Sequence, residues 1–379
     1  MQNERWEAGL VVISSNASIW HQLPRIILVN FGILFGLYLL AEIVLHIISP
    51  NANPFLRTSE LRIPDPVYHH TLKPKYDGFE FWGPHRYRVL TNSLGFRDAS
   101  TRDVPLVADR KRVVFIGDSF TEGSGVPYEQ TFVGRFGRAF PDLDVLNAAV
   151  GSYSPSIYFQ KLKHFLDVGL RFDEAIVYID ISDIQDEAVY YSYDERGVLR
   201  LMGINDENFL TSKKRTWERM FYVADFLNQV RISQKSAREI ERMQGPKLSK
   251  HSERASWTYD PKATGYGSMG IEGGIQKAKQ QMDRLYKSLL THGVALSVGV
   301  YPWPQQLLYD GENSRQVKIW REWCAGKCKR FFNHFPVFFR YKEKDPDFVR
   351  NLFIRGDIHY NARGNQILAD DLIEKYRPQ

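Results

Sequence analysis

Hydrophobic residues fall into three patterns along this chain, and each predicts a different kind of structure. The first is unbroken: residues 26–48 read IILVNFGILFGLYLLAEIVLHII, apolar on every side and long enough for the ~20 residues a bilayer core requires. The stretch is longer than the apolar core of a signal peptide. The Ser-Pro-Asn-Ala-Asn-Pro after it lacks a small-x-small cleavage site, so we read an uncleaved transmembrane helix behind a short tail, 1–25. The second pattern begins at Lys111. Short apolar strands at 112–116, 143–147, 175–181 and 294–301 alternate with helical periodicity at 130–139, 156–168, 272–292, 314–324 and 363–376. Such alternation predicts an α/β domain over 108–379, a three-layer α/β/α sandwich around a central parallel sheet.

The third pattern is irregular. Residues 49–107 are rich in Pro and aromatics (Pro50, Pro54, Pro64, Pro66, Pro74, then Phe79-Glu80-Phe81-Trp82), with a strand-like Arg86–Leu90 running into a turn at Thr91–Gly95. So many aromatics would not suit a free linker, and the segment is expected to pack on the main domain. An excursion at about 188–270 interrupts the alternation. Val189–Tyr193 and Val198–Met202 flank a turn and read as a hairpin, and a basic helix is expected over about 213–243, with Trp217, Met220, Phe221, Ala224, Leu227 and Val230 at helical spacing. That helix is a cap on the domain or an element lying on an anionic membrane surface.

Composition changes this picture little. Of 379 residues 43% are hydrophobic and 25% charged, as in a folded globule. The net charge of +6 suits a membrane-proximal surface, and without a basic-aromatic cluster nothing argues for nucleic acid. Arg25 abuts the start of the span, whereas the nearest basic residues beyond it are Arg57 and Arg62, a bias that places the large domain outside, in the periplasm of a bacterium. Glu42 and His46, one turn apart late in the span, either snorkel to the interface or contact another membrane protein.

The candidate chemistry lies at two distant points. Val113-Val114-Phe115-Ile116 runs into Gly117-Asp118-Ser119, a strand ending in a tight glycine turn, and near the chain end stands Asp357-Ile358-His359. A hydroxyl raised on such a turn becomes a nucleophile when an imidazole takes its proton and a carboxylate orients the imidazole. Val-Val-Phe-Ile-Gly-Asp-Ser-Phe-Thr-Glu-Gly (113–123) resembles the first block of the SGNH, or GDSL-type, hydrolases, and the Asp-x-His ahead of the last helix resembles their final block, in a spacing found in alginate-type polysaccharide O-acetyltransferases. The resemblance covers about 108–379. It implies a flavodoxin-like sheet, Ser119 as nucleophile, His359 as base and Asp357 as its partner.

For the oxyanion it implies the backbone N–H groups of Ser119 and Gly151, the latter in Asn147-Ala148-Ala149-Val150-Gly151-Ser152. The third donor departs from the family's Gly-x-Asn-Asp. A literal Gly203-Ile204-Asn205-Asp206 follows a hairpin-like segment, whereas the buried-looking strand leads into Asp180-Ile181-Ser182-Asp183, so Ser182 is aligned with the asparagine. Asp183 and Trp303 are candidate substrate contacts. The acidic residues Asp180, Asp183, Asp186 and Glu187 suit a hydrogen-bonded loop better than a metal site, and Trp303 either stacks on a sugar or packs its own loop. Cys324 and Cys328 are expected to form a local disulfide in an oxidising compartment. The expected activity is ester hydrolysis or O-acyl transfer, without cofactor or metal, on small acyl esters, foremost acetyl, of a cell-envelope glycan, with a membrane acyl-transfer protein as possible partner. The competing expectation is a non-catalytic glycan-binding or assembly protein on the same fold.

Overall fold

A computed structural model describes residues 17–48, 61–82, 85–201, 223, 252–355 and 357–377. Apart from Val223, the helix expected at 213–243 lies outside the described residues, as does Gly203-Ile204-Asn205-Asp206. In chain order the elements are α1 (Ala17–Ile48), β1 (Arg62–Asp65), β2 (His69–Leu72), β3 (Asp77–Trp82), β4 (His85–Thr91), β5 (Arg97–Asp98), β6 (Arg112–Ile116), α2 (Ser119–Glu122), α3 (Phe132–Ala139), β7 (Asp144–Asn147), α4 (Pro155–Asp167) and β8 (Glu174–Tyr178). There follow β9 (Tyr191–Tyr193), β10 (Leu199–Leu201), α5 (Gly270–Thr291), β11 (Ala295–Val300), α6 (Pro304–Tyr309), α7 (Arg315–Cys324), β12 (Arg330–Asn333), α8 (Phe335–Lys344), α9 (Phe348–Leu352) and α10 (Ala362–Tyr376).

Eight strands form one sheet in the order β12-β11-β8-β6-β7-β5-β4-β3. The five from β12 to β7 are parallel, while β5, β4 and β3 join antiparallel. Counting only the parallel strands in chain order gives 2-1-3-4-5, the doubly wound order whose ligand crevice opens at the carboxyl ends of the strands. Val113, Val114, Phe115 and Ile116 of β6, and Ala175, Ile176, Val177 and Tyr178 of β8, are buried, as parallel strands covered on both faces must be. Helices α3 and α10 cover one face, where Phe136 and Tyr376 meet with ring centroids 4.8 Å apart. On the other face α4 packs against α5, α7 is tied to α5 by the Trp323 indole on Asp283, and Lys327 just past α7 pairs with the same carboxylate.

Local chemistry sets the element ends. The Thr131 hydroxyl accepts the Gly134 N–H at the head of α3, Ser314 accepts Gln316 at α7, and Asn361 accepts Arg363 and Gly364 at α10, each an N-cap. The strand expected at 175–181 stops at Tyr178, because the Asp180 carboxylate accepts the Ser182 N–H at 2.8 Å and turns the chain. Cys324 and Cys328 are joined by a disulfide.

Strands β3, β4 and β5, within residues 77–98, extend the sheet beyond β7. At that seam Arg97, fully buried, donates to the backbone carbonyls of Glu122, Gly123 and Val126, fastening β5 to the loop behind Ser119. In α1 the stretch Pro24–Leu45 is long and apolar enough to cross a bilayer and is not buried against the rest of the protein. The Glu42 carboxylate accepts the Val223 N–H at 2.9 Å.

Candidate active site

Gly117 is required where it stands: a Cβ there would lie 2.3 Å from the Thr121 hydroxyl and 3.0 Å from the Tyr178 carbonyl. Asp118 then caps the single turn of α2 by accepting the Phe120 N–H at 2.9 Å, and Gly123 closes that turn in the left-handed region at φ 81°. The turn leaves Ser119 half-buried at the carboxyl end of β6. Asp118 itself is buried and held by the Tyr301 hydroxyl at 3.0 Å, while burial and the neighbouring Asp180 push its carboxyl well above the usual range.

The Ser119 hydroxyl lies 2.7 Å from His359 Nε2, across 240 positions of sequence. His359 Nδ1 faces Asp357 Oδ1, and the same oxygen accepts the His359 backbone N–H at 2.8 Å. One carboxylate thus grips both the ring and the backbone of the residue two positions on, which is why an Asp-x-His spacing works. With Asp357 opposite Nδ1, that nitrogen carries the proton and Nε2 is left to accept from Ser119. Burial works against the charge on Asp357, yet the hydrogen bonds and charge of His359 hold the carboxyl below its ordinary range. The imidazole is clamped: Phe120 stacks on it at 4.5 Å between centroids and Trp82 meets it edge-on at 4.7 Å.

Around this trio the expected donors are arranged differently. The Gly151 N–H is given to Glu122 Oε2 at 2.6 Å, and the Ser182 hydroxyl is given to Asp180 Oδ1 at 2.6 Å. Each group has one hydrogen to donate, so neither is the free oxyanion donor expected for it. Trp303 is not a sugar platform either. It is 4% exposed, its indole N–H bonds Asp180 at 2.6 Å, and its ring packs 5.8 Å from Phe120, behind the residue that backs His359. Asp183 is fully buried and accepts the Tyr158 hydroxyl at 2.9 Å; burial, with Asp180 beside it, pushes its carboxyl well up. Asp186 pairs with Arg254, and Glu187 accepts from Ser154 and Ser156 at 2.6–2.7 Å. These four acidic residues are thus engaged in bonds within the fold.

Three residues at the site escaped the sequence reading. Arg62 of β1 bonds both Glu122 oxygens through Nη2, at 3.0 and 2.9 Å. Glu122 is fully buried inside the serine block itself, and a carboxylate within that short apolar-flanked motif is the sequence signal for it. Trp82 comes from the aromatic run of β3 and meets the His359 ring.

No family model matches the chain, and no curated protein matches it. Solved structures do resemble it. A member of the lipolytic G-D-S-L family from Veillonella parvula is 10% identical and aligns over 70% of this chain and 98% of its own, with a TM-score of 0.39. A catalytic mutant of Axe2, an acetylxylan esterase from Geobacillus stearothermophilus, is 11% identical over 72% of this chain and 96% of its own, TM-score 0.38. The psychrotrophic esterase EstA from Pseudoalteromonas sp. is 8% identical over 70% and 96%, TM-score 0.36. At TM-scores this low the likenesses add no weight to the geometry of the site.

Proposed function

We propose that the chain is a serine-dependent ester hydrolase or O-acyltransferase that carries an acyl group on Ser119. The observation that carries this reading is the Ser119 Oγ to His359 Nε2 approach of 2.7 Å, with Asp357 behind the ring. Ser119 Oγ attacks the ester carbonyl while its proton passes to Nε2, and the carbonyl electrons move onto oxygen. As the C–O bond of the leaving alcohol breaks, that alcohol takes the proton from Nε2. Water or a sugar hydroxyl then gives its own proton to Nε2 and attacks the acyl carbonyl, and as the carbonyl carbon–Oγ bond breaks Ser119 Oγ takes the proton back from Nε2. Asp357 keeps the Nδ1 proton in place and stabilises the imidazolium formed in each half.

The substrate proposed is a small acyl ester, foremost an acetyl ester, of a cell-envelope glycan. The protein would be held in the cytoplasmic membrane by α1 with its large domain in the periplasm. The long apolar span supports the anchoring, the Arg25 bias supports that orientation, and the Cys324–Cys328 disulfide supports an oxidising compartment. The engagement of Gly151 and Ser182 with carboxylates favours a competing reading, a glycan-binding protein without turnover. Labelling the purified protein with a fluorophosphonate decides between them. Incorporation at Ser119, lost in Ser119→Ala, supports the enzyme, and an unlabelled protein rejects it. Acetate release from acetylated xylan, with and without an added acceptor oligosaccharide, then separates hydrolysis from transfer.

A further inference from the structure

One hydrogen at the nucleophile is claimed from two sides. Ser119 Oγ lies 2.7 Å from His359 Nε2 and 3.3 Å from Asp118 Oδ2. The hydroxyl carries a single hydrogen, and the shorter contact takes it, because Nδ1 of that ring is protonated against Asp357 and Nε2 can only accept. Between Oγ and Asp118 Oδ2 no hydrogen then remains unless the carboxyl brings its own. Asp118 Oδ1 already accepts the Phe120 N–H at 2.9 Å and the Tyr301 hydroxyl at 3.0 Å, so a proton on this group belongs on Oδ2, toward the serine.

The surroundings favour the neutral acid. Asp118 is buried. The neighbouring Asp180 has its oxygens met by the Ser182 N–H, the Ser182 hydroxyl and the Trp303 indole N–H, at 2.6–2.8 Å, without a proton of its own. The Arg254 guanidinium is bonded to Asp186 rather than to Asp118. Burial and Asp180 together push the Asp118 carboxyl well above the usual range. An ionised oxygen 3.3 Å away would oppose any negative charge forming on Oγ, whereas a carboxyl kept neutral by its site becomes a hydrogen-bond donor.

We propose that Asp118 is a catalytic residue, a neutral carboxylic acid whose Oδ2–H donates to Ser119 Oγ and stabilises the negative charge that oxygen takes up. The proposal rests on the serine reading above and deepens it. In acylation the Oγ proton goes to His359 Nε2 while an Oγ lone pair forms the bond to the carbonyl carbon. The bond from Asp118 tightens as Oγ gains alkoxide character and slackens in the acyl ester, where the oxygen is nearly neutral. In deacylation the carbonyl carbon–Oγ bond breaks and its electron pair returns to Oγ. The same hydrogen bond then meets the charge until Nε2 returns the proton. Asp118 keeps its own proton throughout, so the proton transfers balance through His359 alone.

The test uses the full-length protein in detergent, with Asp118→Asn and Asp118→Ser. Both replacements can cap α2 by accepting the Phe120 N–H. Only the amide also has an N–H donor to set against Ser119. On the neutral ester 4-nitrophenyl acetate, kcat should fall about 30-fold in Asp118→Ser and about threefold in Asp118→Asn, with KM changed by less than about threefold in each. The infrared difference spectrum, wild type minus Asp118→Asn at pH 7, should show the C=O band of a carboxylic acid. Carboxylate bands in that difference, or equal kcat in the two variants, would overturn the role of Asp118. Should Asp118→Ser fail to melt cooperatively, the infrared difference decides alone. Wild-type protein that takes up no fluorophosphonate would sink the serine reading and this one with it. A labelled wild type whose difference spectrum shows carboxylate bands sinks only this one.

Discussion

The two halves of the sheet obey different rules. Strands β6 and β8 are buried on both faces and nearly free of polar side chains, whereas β4 alternates: Arg86 and Arg88 are set against a buried Tyr87 and Val89, with Arg88 paired to Asp77 in the open. The parallel half could only be built one way, since a run such as Val113–Ile116 has no face to offer water. That necessity fixes where β6 ends, and so where Ser119 is raised. The antiparallel half has a wet face and is under weaker constraint. It nevertheless lays Trp82 against His359, and the ribbon ahead of it brings Arg62 to Gly151. The parallel half raises Ser119 at the end of β6, and the antiparallel half supplies part of the surroundings of Ser119 and His359.

If that division holds, substitutions in the two halves should differ in kind. Ser119→Ala and His359→Ala remove groups the parallel half positions, and turnover should drop by roughly 10⁴-fold or more with the melting temperature unchanged. Residual activity above about one per cent of wild type in either variant would refute the division. Smaller in effect, Trp82→Ala removes the edge contact that clamps the imidazole. We expect kcat/KM to fall about tenfold through loss of orientation, measured on the same neutral ester, with Ser119 still labelled.

The seam between the halves offers a pH test. Lys161 of α4 is buried there, its ammonium 3.0 Å from the Tyr153 hydroxyl, which bonds the His70 carbonyl of β2, and 5.1–5.3 Å from the rings of Tyr68 and Phe96. Burial pulls its pKa from 10.5 down to about 7. Between those values the unfolded chain binds a proton the folded one does not, so stability rises with pH from about 7 upward, by at most about 1.4 kcal/mol per unit. Below pH 7 both states are protonated and the contribution is flat. Urea midpoints at pH 7, 8 and 9 should therefore climb in wild type and flatten in Lys161→Met. Parallel curves would mean the ammonium is not held dry at the seam. The smallest claim concerns α1: full-length protein should remain in the membrane pellet after alkaline carbonate and leave it in detergent. Release by carbonate alone would argue against a spanning helix.

What could be read from sequence follows from locality. The strand 112–116, the glycine turn, the Asn361 cap before the final helix and the apolar span each depend on residues within a few positions of one another, so periodicity and turn chemistry reached them. The pairing of Asp357 with His359 is local too. By contrast, Ser182 was aligned by position in a block, but its hydroxyl is governed by Asp180 two residues earlier. Gly151 was assigned by its block, while its N–H is governed by Glu122, a residue 29 positions away.

The sequence by itself determined the parallel sheet, the end of β6 that lifts Ser119, and the membrane-length helix, because burial on both faces and the reach of a tight turn admit few alternatives. Tertiary structure alone decided which hydrogen-bond donors are free beside that serine. Each donor has one hydrogen, and whether a carboxylate claims it depends on which distant segments the fold brings within about 3 Å, something no local pattern records.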